Sequence, residues 1–294
     1  MILSFAAART GSARRAPEAV RRRGAAWRAA HPPVPVAPDA TLTFAIPLMG
    51  RDSAADWARV EANLRATLRS LRAQTAPRWR AIVCGQDRPD TPFDAATAFL
   101  PYPERLAPGR LSDQQDKIAY MIDHLTAAPG GDGWVFFLDA DDLVHPGLVA
   151  YVTRYADRAG YVITRGYLMD AATGAMGYHG ENKLRYRRCV PFCKYCGSST
   201  IIRMDLRNAE AARAALRDRG GHGAAMHHMA AYGVRLSRLP FAGAIYVVNH
   251  GDNMRLKRGK QDRKLSYLAK NRLSERARRR VAAEFGLEAL LRDA

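Results

Sequence analysis

The chain has 294 residues, 48% of them hydrophobic, and a formal net charge of +18. This length holds one large domain or two small ones, and the composition is that of a globular protein rather than a disordered chain. No apolar run approaches the roughly 20 residues that cross a bilayer, which excludes a transmembrane helix from the predicted elements. The apolar start MILSFAAA precedes the first charges, the reverse of a secretory signal, so a cytoplasmic protein is expected.

Alternating strands and helices are predicted after a Pro-rich linker at 29–39. The predicted elements are a strand at 41–48, a helix at 54–74, a strand at 79–85, a helix around 118–125 and a strand at 134–138. Residues 86–112 are rich in Pro, Asp and Gly and predict a loop, and Pro146 predicts the first turn of another helix. This order indicates an α/β fold with a mostly parallel, Rossmann-like central sheet flanked by helices.

Three carboxylates follow the third predicted strand, in VFFLDADDLVHP at 135–146. In parallel sheets, ligands bind outside the carboxyl ends of the strands, where Asp139, Asp141 and Asp142 are expected to lie. Three close carboxylates repel one another unless a cation is present, and oxygen ligands suit Mg²⁺ or Mn²⁺. The alternative is a surface loop in which Asp142 caps the helix that starts at Pro146.

Four segments in this order resemble family-2 glycosyltransferases of the GT-A fold. They are TFAIPLMGR, LRATLRSLRAQT, RWRAIVCG and WVFFLDADDLVHPGLV. The resemblance implies a GT-A-like domain at 41–253, between a basic N-terminal extension with the linker at 1–40 and a basic helical extension at 254–294. It also implies a metal-dependent hexosyltransferase. Its donor would be a nucleotide diphosphate sugar, and its acceptor a hydroxyl of a bacterial polysaccharide or glycolipid.

The resemblance also assigns roles to residues of the metal site. Asp141 would hold the metal, and Asp139 would lie toward the donor ribose and the metal. His250 follows the last predicted strand, in AIYVVNHGDN, and would complete the metal site. Two carboxylates and an imidazole suit Mn²⁺.

Further residues are predicted to bind the donor. Pro47 ends the first strand, and Lys117 stands where family members carry a basic or amide residue. Gln86 and Asp87 follow the second strand, where many members have an acidic residue that binds the nucleotide base. Lys117 could equally be a solvated helix residue.

The catalytic base of inverting members is an Asp that stands eleven residues before a Gly. Here His222 stands eleven residues before Gly233, and an imidazole can accept the proton of an acceptor hydroxyl. His227 and His228 are rivals for this role. A retaining mechanism, which needs no such base, is the alternative.

Three other interpretations compete with the glycosyltransferase. Cys189, Cys193 and Cys196 form a C-x₃-C-x₂-C pattern that suits an iron–sulfur cluster or a zinc site, although buried thiols are the simpler interpretation. Asp-x-Asp after an apolar strand also occurs in phosphatases of the haloacid dehalogenase type. The third alternative is a basic adaptor without enzymatic activity.

The positive charge is concentrated at the two ends of the chain. Residues 1–40 carry seven Arg and two acids, and residues 254–294 carry thirteen Lys or Arg and five acids. No helix-turn-helix, zinc finger or RNA-binding aromatic motif accompanies the charge, so specific nucleic-acid binding is not expected. Residues 262–285 predict one amphipathic helix that would lie on an anionic membrane, which favours peripheral contact with the inner face of the membrane.

Overall fold

Two β-sheets form the framework in the computed structural model, which describes residues 11–181, 189–249 and 262–287. The strands are β1 (Thr41–Pro47), β2 (Trp79–Gly85), β3 (Thr97–Pro101), β4 (Gly133–Phe137), β5 (Leu143–Val144), β6 (Gly160–Val162), β7 (Gly166–Asp170), β8 (Met176–His179), β9 (Thr200–Arg203), β10 (Ser237–Arg238) and β11 (Ala244–Val248). The helices are α1 (Glu18–Ala30), α2 (Trp57–Arg72), α3 (Gln114–Leu125), α4 (Leu148–Tyr155), α5 (Ala209–Arg217), α6 (His222–Ala231), α7 (Asp262–Lys270) and α8 (Glu275–Phe285).

The central sheet has seven strands in the order β10-β6-β9-β4-β1-β2-β3. Neighbouring strands are parallel except at β9, which runs antiparallel to both β4 and β6. Helices cover the sheet, as the βαβ order requires. The predicted α/β fold with a mostly parallel central sheet is therefore confirmed.

Alternate residues of β1 and β4 pack into two different apolar clusters. One cluster combines Leu42, Phe44, Ile46, Trp134 and Phe136 with Leu64, Leu68 and Leu71 of α2. The other combines Ala45, Val135 and Phe137 with Ile118, Met121, Ile122 and Leu125 of α3. Both faces of these strands are buried, which is why their sequences are unbroken apolar runs rather than alternating ones.

A second sheet of four strands, in the order β5-β11-β7-β8, was not predicted. Its edge strand β5 consists of the two residues that follow the aspartate motif, and it pairs antiparallel with β11 through Leu143–Ile245 and Val144–Ala244. This pairing holds the C-terminal end of the loop that carries the three aspartates, residues 139–142, against the second sheet.

Two local predictions were wrong. The predicted loop at 86–112 contains β3, which extends the parallel ladder beyond β2. Helix α4 begins at Leu148 with Gly147 as its N-cap residue, so Pro146 lies before the helix. Asp142 does not cap this helix, because its carboxylate accepts a hydrogen bond from the backbone N–H of Val247 in β11 (3.1 Å).

The basic N-terminal segment contributes a packed helix. The indole of Trp27 in α1 donates to the carbonyl of Ala211 in α5 (2.9 Å), and Arg23 pairs with Asp218 (2.6 Å). Gly24 lies so close to α6 that a Cβ there would be 2.5 Å from the carbonyl oxygen of Ala231. At least one of the arginines in residues 1–40 therefore forms an ion pair within the fold. The domain boundary at residue 40 stays a prediction.

The single amphipathic helix predicted at 262–285 is wrong. The segment forms α7 and α8, and the backbone between them pairs with β8, where Leu273 donates to the carbonyl of Met176 (2.8 Å). Leu273, Val281 and Phe285 are buried against the second sheet, so they are not exposed for insertion into a lipid surface. Among the residues described, no helix has the length and apolar character needed to cross a membrane.

We expect Phe285→Ala to lower the free energy of unfolding by about 3–5 kcal/mol, because it empties a buried aromatic site. Exposed Arg280 on the same helix provides the control, and Arg280→Ala should change stability by no more than about 0.5 kcal/mol. Urea denaturation of the full chain measures both. Equal, small effects would show that α8 is not docked on the second sheet.

Candidate active site

The three aspartates that follow β4 lie together at the carboxyl edge of the central sheet. One carboxylate oxygen of each of Asp139, Asp141 and Asp142 lies within 4.8 Å of the others. The loop turns tightly, since the backbone N–H of Asp142 donates to the carbonyl of Asp139 (3.2 Å). We call these three residues the aspartate cluster. They form the carboxylate group predicted from the sequence.

Asp142 is the most deeply buried member of the aspartate cluster. Besides the bond from Val247, its carboxylate accepts a hydrogen bond from the thiol of Cys196 (3.2 Å). Burial raises the pKa of Asp142 well above its usual value, and the charges of Asp141 and Asp139 add to this effect. Asp142 therefore anchors the loop to the second sheet.

Asp139 is held from two sides. Its Oδ1 accepts a hydrogen bond from the side-chain amide of Gln114 (2.6 Å), and its backbone N–H donates to the hydroxyl of Ser198 (2.8 Å). Burial foremost, and the nearby Asp141 charge second, raise the pKa of Asp139 to about 7. The cluster is thus an electrostatically unfavourable arrangement that a cation would stabilise.

The first turn of α3 connects the ends of three parallel strands. The ammonium group of Lys117 donates to the carbonyl of Leu48, just after β1 (2.7 Å), and to the carboxylate of Asp113 (2.9 Å). The same carboxylate accepts a hydrogen bond from Gln86, just after β2 (2.5 Å). Gln114 connects this turn to the end of β4.

Lys117 is therefore not a solvated helix residue, since only 1% of it is exposed. Burial lowers its pKa, and the Asp113 carboxylate opposes that effect. Its hydrogen bonds fix the chain after Pro47, which is the buried last residue of β1. A direct contact between Lys117 or Pro47 and a donor stays a prediction.

Asp87 joins the loops that follow β1 and β2. Its carboxylate accepts a hydrogen bond from the backbone N–H of Arg51 (2.8 Å) and pairs with Arg105 (3.2 Å). Gln86 and Asp87 thus lie at the same edge of the sheet as the aspartate cluster. Their contact with a nucleotide base stays a prediction.

The predicted histidines have different environments. His222 is the first residue of α6, and its side chain lies outside the described part of the structure, as does the whole of His250. His227 Nδ1 accepts a hydrogen bond from the backbone N–H of Ser12 (3.1 Å), and His228 Nδ1 donates to the carbonyl of Asp218 (2.8 Å). The side chains of His227 and His228, the alternatives to His222 as the base, are thus each engaged in a hydrogen bond within the protein.

Two buried cations near the aspartate cluster were missed in the sequence. The electrostatic influence of all three carboxylates reaches Lys264 in α7, and that of Asp139 reaches Arg219 before α6. In the sequence, Lys264 is one of the many cations of the amphipathic helix predicted at 262–285. The signal that could have found it is its spacing, since Lys264 shares a helix face with the buried Tyr267 and Leu268 at i+3 and i+4.

The cysteines do not form a metal site. Cys189, Cys193 and Cys196 are buried free thiols, and in the part of the chain that the structure describes the aspartate cluster is the one group of metal-ligating side chains. Burial raises the pKa of Cys193 to about 11, which opposes the thiolate form that metals require. Within the described residues, the iron–sulfur and zinc interpretations therefore have no group of thiolates that could share a metal.

The comparisons with known proteins support one family. The chain matches the family model Glycosyl transferase family 2 over residues 58–208, more than half of its length. A comparison with curated proteins gives no match. The matched region contains the aspartate cluster, Gln86, Asp87 and Lys117, and the architecture around it has the predicted GT-A type. The chain therefore belongs to glycosyl transferase family 2, and the phosphatase and adaptor interpretations are set aside.

Proposed function

We propose that this glycosyltransferase moves a hexosyl group from a nucleotide diphosphate sugar to a hydroxyl of a glycan or glycolipid, with Mn²⁺ or Mg²⁺ as cofactor. The observation that carries the proposal is the aspartate cluster at the carboxyl edge of the central sheet. Such an edge is where open α/β sheets bind ligands. The buried carboxylates there favour a divalent cation over an empty site.

The residues present fit a hard divalent cation. All three ligating groups are carboxylates, and their oxygens are close enough to share one ion. Because Asp142 is committed to Val247 and Cys196, the proposed ligands are Asp139 and Asp141, with His250 as a further one. A bound Mn²⁺ or Mg²⁺ would stabilise the negative charge that develops on the leaving diphosphate.

The donor nucleoside is proposed to bind beside the ends of β1 and β2. The carbonyl of Leu48 is held there by Lys117, while Gln86 and Asp87 carry the polar groups suited to a base. The hydrogen-bond chain through Asp113 holds these loops in one arrangement before a donor arrives, which lowers the ordering cost of binding.

His222 is proposed to accept the proton of the acceptor hydroxyl. The loop before α6 reaches the aspartate cluster, because Arg219, three residues earlier, interacts electrostatically with Asp139. A base at the start of α6 would therefore belong to a segment close to the aspartate cluster, as an inverting reaction requires. A neutral imidazole suits this task near neutral pH.

A polysaccharide or glycolipid acceptor on the inner face of an anionic membrane is the proposed setting. The apolar residues of α8 are buried, but its Arg276, Arg279 and Arg280 are exposed. Their charge alone would attract an anionic surface, at about 1 kcal/mol for each cation. The proposed contact is thus electrostatic and should weaken with salt.

A thermal-shift screen of nucleotide sugars, with and without Mn²⁺, tests the proposed donor. One nucleotide sugar should stabilise the full chain only when Mn²⁺ is present, by about 2.7 kcal/mol at 100 times its dissociation constant. Stabilisation by no donor under either condition would contradict the proposed function.

Asp141→Asn should abolish Mn²⁺-dependent binding of nucleoside diphosphates, because it removes a charged ligand. The fold should be retained, since Asp141 lies at a strand end and is only half-buried. Isothermal titration calorimetry measures the binding, and Asp116→Asn is the control, at a half-buried position of α3 where the carboxylate pairs with Arg110. Unchanged metal-dependent binding in Asp141→Asn would refute the metal assignment.

His222→Ala should lower turnover by about 10²–10⁴-fold while donor affinity stays near normal. His227→Ala and His228→Ala should have milder effects on turnover, because these side chains are engaged in packing. Initial rates and donor titrations of the three variants measure this difference. Equal, small losses in all three would favour a retaining mechanism without such a base.

A further inference from the structure

Lys264 in α7 has an unusual environment for a lysine. Only 1% of the residue is exposed, and its ammonium group has no hydrogen-bond partner among the described residues. The ammonium nitrogen lies 3.5 Å from the centroid of the Tyr246 ring in β11, a cation–π contact that replaces part of its hydration. A buried ammonium without a hydrogen bond is unfavourable, so its retention needs a reason beyond packing.

The ammonium group lies near the aspartate cluster without forming an ion pair, because Tyr246, whose ring it contacts, precedes Val247, whose backbone N–H donates to Asp142. Burial lowers the pKa of Lys264 to about 8, while the charges of Asp139, Asp141 and Asp142 oppose this effect. The described residues provide no carboxylate oxygen within the 4.0 Å of an ion pair. The cation and the carboxylates therefore interact through their charges but are separated by more than a direct contact.

Arg219 is a second buried cation at the same site. Its guanidinium lies 4.2 Å from the centroid of the Phe137 ring at the end of β4, and its influence extends to Asp139. Within the described part of the chain, its one hydrogen bond goes to the neighbouring carbonyl of Gly220 (3.0 Å). A guanidinium has five N–H donors in a planar fork, so most of its hydrogen-bonding capacity is left for a ligand.

We propose that Lys264 and Arg219 bind the diphosphate group of the donor, on the side of it that faces away from the metal. This inference rests on the proposed function, and it adds two residues from outside the region that matches the family model. The two cations come from different elements, α7 and the loop before α6. Both elements must therefore be in place around the aspartate cluster for the diphosphate to be held.

The charges at the site support an anionic ligand. Three carboxylates, two buried cations and one divalent ion leave a net positive charge, which the negative charge of a diphosphate offsets. Phosphate oxygens also satisfy the unused N–H groups of both cations through charge-assisted hydrogen bonds. When the diphosphate leaves, the same contacts would stabilise the charge that it carries away.

Lys264→Met tests the inference because it keeps the length of the side chain and removes the cation. Calorimetric titration of the full chain with inorganic pyrophosphate in the presence of Mn²⁺ should show an affinity about 10- to 100-fold below that of the unchanged protein. Titration with Mn²⁺ alone should show equal or tighter binding, since a neighbouring positive charge has been removed. Lys264→Arg should recover part of the pyrophosphate affinity.

Stability provides the readout that separates binding from a structural role. Lys264→Met should melt at the same temperature as the unchanged protein or higher, because it removes an unpaired buried charge. Lys270→Met, at an exposed position of the same helix, is the matched control and should alter neither property. A lower melting temperature with unchanged pyrophosphate affinity would overturn the inference.

The pyrophosphate titrations distinguish a wrong donor site from a wrong role for Lys264. If the unchanged protein binds no pyrophosphate with Mn²⁺, the proposed donor site is wrong and the inference falls with it. If the unchanged protein and Lys264→Met bind pyrophosphate equally, the donor site stands and only the role of Lys264 is refuted. Arg219→Met, titrated in the same way, applies the same criterion to the guanidinium.

Discussion

Repulsion within the aspartate cluster is the constraint on which the rest of the site depends. One oxygen of each of three carboxylates lies within 4.8 Å of the others, and two of these groups have raised pKa values because the site is also poorly solvated. Specific contacts with the protein, rather than with solvent, offset the repulsion between these carboxylates. Val247 and Cys196 hold Asp142, Gln114 holds Asp139, and two buried cations face the group. The remaining imbalance is what a divalent ion and its diphosphate ligand are proposed to resolve.

The two sheets hold the aspartate cluster from opposite ends of its loop. The central sheet brings the ends of β1, β2 and β4 to one edge, where the first turn of α3 connects them through Asp113, Gln114 and Lys117. The second sheet holds the other end of the aspartate loop through the pairing of β5 with β11, and α7 packs near it. The cluster thus lies where the two sheets meet, and contacts with both sheets hold these loop residues in position.

The sequence predicted strands β1, β2 and β4 of the central sheet well because most of their residues are buried. Their short apolar runs, bounded by turn residues, are typical of buried strands, and β2 was predicted with its observed bounds. Strand β3 was missed because its Pro- and Asp-rich surroundings resemble a loop, and β5 because two residues carry no periodic signal. The apolar stripe of the C-terminal segment was recognised, but periodicity shows only that a face is buried. It does not show whether protein or lipid covers that face.

The sequence predicted those site residues that lie together in a short motif. It did not predict charged residues that are distant in the chain and come together only in the tertiary fold. The aspartate cluster follows one strand, so its place could be inferred from the chain order alone. Lys264 lies 123 residues after Asp141, and nothing local distinguishes it from the other cations of a basic segment. Its burial, and the face that it shares with Tyr267 and Leu268, become informative only once α7 is docked.

The most direct test of the central claim is the position of the metal. A crystal soaked with Mn²⁺ and a nucleoside diphosphate should give an anomalous peak between the carboxylates of Asp139 and Asp141, about 2.0–2.2 Å from their nearest oxygens. The diphosphate should lie between that peak and Lys264. A nucleotide bound without a manganese peak at the aspartate cluster, or a peak at another site, would contradict the account.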